Sequence, residues 1–162
     1  MSTQLEILSL LEENARLSLR EIADATGVEE EQVRKVVEEL EKRGVILAYR
    51  AIVNWEKAGV DKVCALIDLK VTPEREHGYD AVASRIMRFP EVKSLYLVSG
   101  TYDLSVMVEG GSMREVAGFV AEKLAPLQNV TSTTTHFVLR KYKEAGVMLY
   151  DGEELRRLAV SP

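Results

Sequence analysis

Residues 18–46, SLREIADATGVEEEQVRKVVEELEKRGVI, constrain the fold more tightly than any other stretch of the chain. Ser18 followed three residues later by Glu21 is a capping box: the hydroxyl accepts from the Glu21 amide, and the carboxylate reaches back to the Ser18 amide. Leu17 before the cap and Ile22 after it have the spacing of a hydrophobic staple. The helix opened there is short, because Gly27 supplies the left-handed backbone on which helices end. A second apolar rhythm begins at once, with Val33, Val36, Val37 and Leu40 spaced as one buried helical stripe. Gly44 closes that helix, and an extended run follows from Val45. Short helix, glycine turn, longer helix is the helix-turn-helix layout, whose second helix is offered to a DNA major groove.

Upstream, residues 4–14 carry Leu5, Leu8 and Leu11 on one face, which predicts a first helix packed behind this pair. Downstream, 45–49 and 51–53 predict the two strands of a wing with Arg50 near its turn, so residues 1–53 read as a winged helix-turn-helix domain. The face of the longer helix opposite its valines presents Glu31, Lys35, Glu38 and Lys42. These make two Glu-then-Lys pairs four residues apart, a pattern that suits a solvated, self-paired face. In the DNA-reading alternative, Gln32, Arg34 and Lys35 reach bases and phosphates, since Gln matches adenine edges and Arg guanine, while Lys42, Arg43 and Arg50 hold the backbone.

Charge weighs against that alternative. The chain carries a net −5, and its first fifty residues hold seven Lys/Arg against eleven Asp/Glu. Phosphate neutralisation supplies most DNA affinity, and DNA-binding modules are usually basic. The expectation is therefore either a local basic patch completed by a dimer, or weak binding.

A length of 162 residues allows one large or two small domains, and 46% apolar with 29% charged residues is ordinary globular composition. No apolar run approaches the ~20 residues of a membrane span, and no secretion signal opens the chain, so no membrane partner and a cytoplasmic location are expected. Cys64 is expected to be a buried bystander. Two histidines, His77 and His136, and that one cysteine make no zinc pattern; no metal or cofactor is expected, and structural or solvent-facing histidines are.

Residues 54–61 break both rhythms and read as a linker, with Trp55 either an anchor between domains or an ordinary half-buried tryptophan. From Lys62 the period changes to two: Val63, Ala65, Ile67, Leu69 and Val71 alternate with Cys64, Leu66, Asp68 and Lys70, a long strand ended by Pro73. A helix follows to about Phe89, then strands over 92–98 and 102–108. Ser112 and Glu115 cap a second helix, which runs to Leu124, and a threonine-rich strand covers 130–140. The order βαββαβ is that of ferredoxin-like folds, an antiparallel sheet with helices on one face. The fold class is thus α+β, with the ferredoxin-like domain over 62–143 and a tail over 144–162 holding a short strand at 149–150 and a helical turn at 153–158. The uncovered sheet face carries Leu66, Leu95 and Leu97 or their alternates, which points to a second copy covering it.

Together the two halves resemble the Lrp/AsnC (feast/famine) family of transcription regulators over nearly the whole chain. The resemblance is carried by Leu19-Arg20-Glu21-Ile22-Ala23, Gly27-Val28, Val33, Leu40-Glu41 and Gly44-Val45-Ile46. Further on it is carried by Pro90-Glu91-Val92, Ser99-Gly100-Thr101-Tyr102-Asp103, Val130, Thr133 and Thr135. It implies a homodimer, dimers often joined into octamers, and a small effector, usually an amino acid, bound between dimers. Family members tend to carry a Ser cap and several basic residues on the recognition helix. Here Glu29-Glu30-Glu31 open it, and Val36 and Glu39 stand where cations are usual.

Ser99, Gly100, Thr101, Tyr102 and Asp103 form the stretch of the second half with ligand chemistry. Gly100 can let backbone amides converge on a carboxylate, Asp103 offers an anion to an ammonium, and the Thr133 and Thr135 hydroxyls complete a cradle. The simpler alternative is a hairpin turn that needs glycine, with Asp103 bonded to its own backbone. The leading reading is a regulator that binds double-stranded DNA and answers to a small effector. The others are an effector-sensing oligomer without DNA binding and, less favoured, an enzyme resembling siroheme decarboxylases, which the scarcity of histidine disfavours.

Overall fold

The computed structural model describes residues 2–75 and 78–150, and the chain divides into two compact units at Ile52/Val53. The first unit holds α1 (Thr3–Glu13), α2 (Leu19–Thr26) and α3 (Glu30–Lys42). At the start of α2 the capping box is complete: Ser18 Oγ accepts from the Glu21 amide at 3.2 Å, and the Ser18 amide donates to Glu21 Oε2 at 2.7 Å. The Ser18 amide, and after it the Ser18 hydroxyl, which also donates to Glu21 Oε2, hold that carboxyl below its usual range. Gly27 ends α2 in the left-handed region at φ 68°. After α3, the amides of Gly44 and Val45 donate to the carbonyls of Glu41 and Leu40, the double closure of a Schellman motif.

Ile7, Ile22, Ala23, Val33 and Val37 form the core of this unit, with Leu17, Val36 and Ile46 packed around them. The staple residues Leu17 and Ile22 therefore share one cluster. Helix α1 faces the core differently from expectation: Ile7 is fully buried, Leu10 and Leu11 join it, and Leu5 is half exposed. Steps of three drift around a 3.6-residue helix, whereas 7, 10 and 11 stay on one side.

No strand forms over 45–53, where a wing hairpin was expected. Tyr49-Arg50-Ala51 offers none of the Gly, Asn or Asp residues that accept the positive φ of a tight hairpin. Leu47 is 87% exposed there, and Tyr49 is held through its hydroxyl, which donates to Glu41 Oε1 at 2.9 Å.

In the second unit, β1 (Val63–Val71), α4 (Asp80–Ile86), β2 (Val92–Leu97), β3 (Leu104–Gly110), α5 (Met113–Phe119, continued by a π-helical turn at Val120–Leu124) and β4 (Val130–Val138) follow in order. The sheet order is β2-β3-β1-β4, fully antiparallel, which is the ferredoxin-like arrangement. Ala65, Ile67, Leu69 and Val71 pack with Val82, Ile86, Val116, Phe119 and Leu124, so both helices cover the same face. Leu66, Asp68 and Lys70 lie on the other. Cross-strand partners share a face, and Leu95 pairs with the buried Val106. Leu95 and Leu97 therefore belong to the helix-covered side, and their alternates Ser94 and Tyr96 to the open one.

Residues 54–61, read as a linker, form a folded turn. Ala58, Gly59 and Val60 donate back to Asn54, Glu56 and Trp55. Asn54 Nδ2 donates to the Leu149 carbonyl at 2.9 Å, and the Tyr150 hydroxyl donates to Glu56. Trp55 is 43% exposed with Lys62 Nζ 3.6 Å over its ring. No strand forms at 149–150, where a short one was expected; just before it, β5 (Lys143–Glu144) pairs antiparallel with β6 (Val147–Met148). The helical turn expected at 153–158, and His77, lie outside the described residues.

Candidate functional site

On α3 all six candidate DNA contacts, Gln32, Arg34, Lys35, Lys42, Arg43 and Arg50 (the last beyond the helix), are exposed. Their charges are not equally free. Arg34 lies 3.7 Å from Glu30 and 3.5 Å from Glu31, Lys35 lies 3.8 Å from Glu31, and Arg43 lies 3.3 Å from Glu39. Among the described residues, Lys42 and Arg50 have no ion pair, and the expected Glu38–Lys42 pair does not form. The self-pairing is partial, and each exposed pair contributes only tenths of a kcal/mol.

In the second unit, Gly100 takes φ 147°, a backbone that side chains resist, and Ser99, Gly100 and Thr101 stand exposed at the tip between β2 and β3. Asp103 is committed inward. Its Oδ2 accepts from the Val71 amide at 2.8 Å, and its Oδ1 faces Lys70 Nζ at 3.2 Å and the Tyr79 hydroxyl at 3.4 Å. Its amide donates to the Leu69 carbonyl. Asp103 thus ties the turn to β1 through its carboxylate, with the Lys70 ammonium beside it, while its carbonyl accepts from the Val98 amide across the turn. The Val71 amide, ahead of Lys70 and Tyr79, holds its carboxyl below the ordinary value of 3.8.

A depressed carboxyl stabilises the fold above its unfolded pKa, and that contribution is lost as pH falls through the folded one. Urea midpoints measured downward from pH 3.8 should therefore drop faster for the natural protein than for Asp103→Asn.

The threonines divide. Thr133 and Thr135 pair with Leu69 and Ile67, on the helix-covered side. Thr134, which the two-residue period skipped, meets the Tyr102 hydroxyl at 2.8 Å across β1. The structure thus gathers Tyr102 and Thr134, and separates them from Thr133 and Thr135. His136, expected to be structural or solvent-facing, is exposed and has a partner that its sequence neighbours did not indicate: its Nε2 lies 3.4 Å from Asp68 Oδ2, while Ser105 donates to Asp68 Oδ1 at 2.9 Å. The serine and the imidazole both meet the Asp68 carboxylate, one at each oxygen. Cys64 is buried as expected, and burial pushes its thiol pKa up.

A helix-turn-helix joined to a ferredoxin-like sheet whose β2–β3 tip is exposed defines a two-domain transcriptional regulator: one part meets DNA, the other a ligand. Residues 2–46 match the model of a winged helix-turn-helix DNA-binding domain, and residues 64–148 that of the Lrp/AsnC ligand binding domain. The chain belongs to the Lrp/AsnC family. It is 49% identical to the HTH-type transcriptional regulator YugG of Bacillus subtilis, over 97% of this chain and 95% of that one. Escherichia coli AsnC superposes with a TM-score of 0.67 at 25% identity, covering 88% of this chain and 93% of that one. A transcriptional regulator from Neisseria meningitidis, in complex with L-Met, superposes with a TM-score of 0.71 at 23% identity, covering 89% and 92%. The relatives are transcriptional regulators rather than enzymes, which removes the decarboxylase reading.

Proposed function

We propose that this regulator binds double-stranded DNA sequence-specifically as a cytoplasmic homodimer, and that a small effector, an amino acid, shifts its assembly or its DNA binding. The 99–103 turn carries the effector half. The exposure of Ser99, Gly100 and Thr101, the positive φ at Gly100 and the clamp by Asp103 from behind support a tip that takes a carboxylate. Ser99, Gly100 and Thr101 contact the effector in this reading, Asp103 and Tyr102 position the tip, and Thr133 and Thr135 support it from the covered side. The L-Met bound by the Neisseria regulator supports the same ligand class. The half-buried Leu66 and Met107, paired at the middle of the open sheet face, support a second copy lying there, and light scattering counts whether dimers build octamers.

A thermal-shift screen of the twenty amino acids tests the effector. At a hundred times its Kd a ligand specific to the native state adds about 2.7 kcal/mol, and melting temperature should rise for one or a few amino acids. No rise for any of them sinks the amino-acid reading.

A second reading keeps the effector and drops the DNA. It is favoured by the carboxylates that pair Arg34, Lys35 and Arg43. It predicts amino-acid-dependent oligomer size by scattering with no mobility shift of the protein's own upstream DNA.

A further inference from the structure

The acidic residues of the recognition helix were counted above as a handicap. Their placement gives one of them a role. The buried line of α3 runs through Val33, Val37 and Leu40. At 100° per residue, Glu31 stands almost diametrically opposite that line, on the first turn, and Arg34 lies one ridge to its side. Glu31 Oε2 and Arg34 Nε are 3.5 Å apart, with side chains 66% and 47% exposed, and Lys35 closes on the other carboxylate oxygen at 3.8 Å. The N-terminal end of the outward ridge therefore presents an acceptor and a donor side by side, rather than a cation alone.

Phosphates line the rims of the major groove and bases its floor. A carboxylate on the first turn of an inserted recognition helix, opposite its buried line, faces the floor of the groove, and the bases are what it meets. It can only accept, and cytosine N4 is the major-groove donor with no acceptor on the same base, whereas adenine sets N7 beside its N6 amino group. In a C·G pair the cytosine N4 donor lies next to guanine O6, about one hydrogen bond away. That donor–acceptor edge is complementary to the Glu31–Arg34 pair, so Glu31 can take N4–H while Arg34 takes O6 and N7.

The geometry points to Glu31 as a specificity-determining residue that, with Arg34, reads a C·G base pair in each half-site. This rests on the DNA-binding reading above. Glu31 lowers affinity for DNA in general, through repulsion from phosphate, and restores it where cytosine stands beneath it. It discriminates by penalising wrong sequence as well as by rewarding the right one.

The test is selection of duplexes from a randomised library by the full-length protein, followed by titration of the enriched sequence. The natural protein should enrich a C·G pair at one fixed position of each half-site, and replacing it by T·A should weaken binding roughly tenfold. Glu31→Ala should bind random duplex more tightly and keep only the guanine preference that Arg34 alone gives, so the C·G-over-T·A ratio at that position should fall severalfold. Glu31→Gln should shift the same position toward A·T, since an amide offers adenine both a donor and an acceptor. Unchanged melting temperatures would show both variants folded, as expected for an exposed side chain. An enriched motif that is the same in the natural protein and in Glu31→Ala overturns the inference and leaves the DNA-binding reading standing. A natural protein that enriches nothing and retains no duplex overturns both.

Discussion

Raising sodium chloride from about 50 to about 200 mM should weaken binding of the upstream duplex by a dimer of this protein roughly 150-fold. The size follows from which cations are free. Lys42 and Arg50 carry no ion pair among the described residues, while Arg34, Lys35 and Arg43 are matched by Glu30, Glu31 and Glu39. Two free cations per protomer give about four phosphate contacts in a dimer, and log K then falls with log salt at a slope near −3.6. If the paired cations also left their carboxylates for phosphate, about ten contacts would give a loss above roughly 10⁵-fold. The two slopes are far apart, so a mobility-shift titration at several salt concentrations decides between them. Lys42→Ala or Arg50→Ala should flatten the slope by about two units in the dimer, one for each copy, and weaken binding evenly across sequences. A steep slope untouched by both substitutions would mean that other residues hold the backbone.

Ile67→Ala should destabilise the second unit by about 2–5 kcal/mol. Ile67 has no exposed surface, lies on the central strand between Val106 and Thr135, and belongs to the cluster under α4 and α5. Close packing on every side leaves little room for relaxation, so the loss combines the transfer free energy of the missing methyl and methylene groups with that of a cavity. Urea unfolding followed by circular dichroism measures it. Met87→Ala, which removes a side chain 61% exposed at the end of α4, is the control and should change stability by less than about 0.5 kcal/mol. An Ile67→Ala loss no larger than the control's would place the core elsewhere than the sheet–helix contact.

The single chain of letters already determined the elements whose causes are local. Ser18 with Glu21, Gly27 and the 33/36/37/40 stripe specify α2, its end and α3 through bonds and contacts made within a few residues. The alternation of 63–71 likewise assigns faces to β1 without any knowledge of its neighbours. What spans the sheet was decided only by tertiary structure. Register put Leu95 beside Val106, sent Thr133 and Thr135 under the helices, and left Thr134 to meet Tyr102. Proximity to β1 also gave the Asp103 carboxylate the Val71 amide as a partner. Strand pairing joins residues that lie far apart in sequence, and a shift of one residue exchanges the two faces of a strand. Composition and period carry no information about that shift, and it determines which hydroxyls and carboxylates remain free to bind anything.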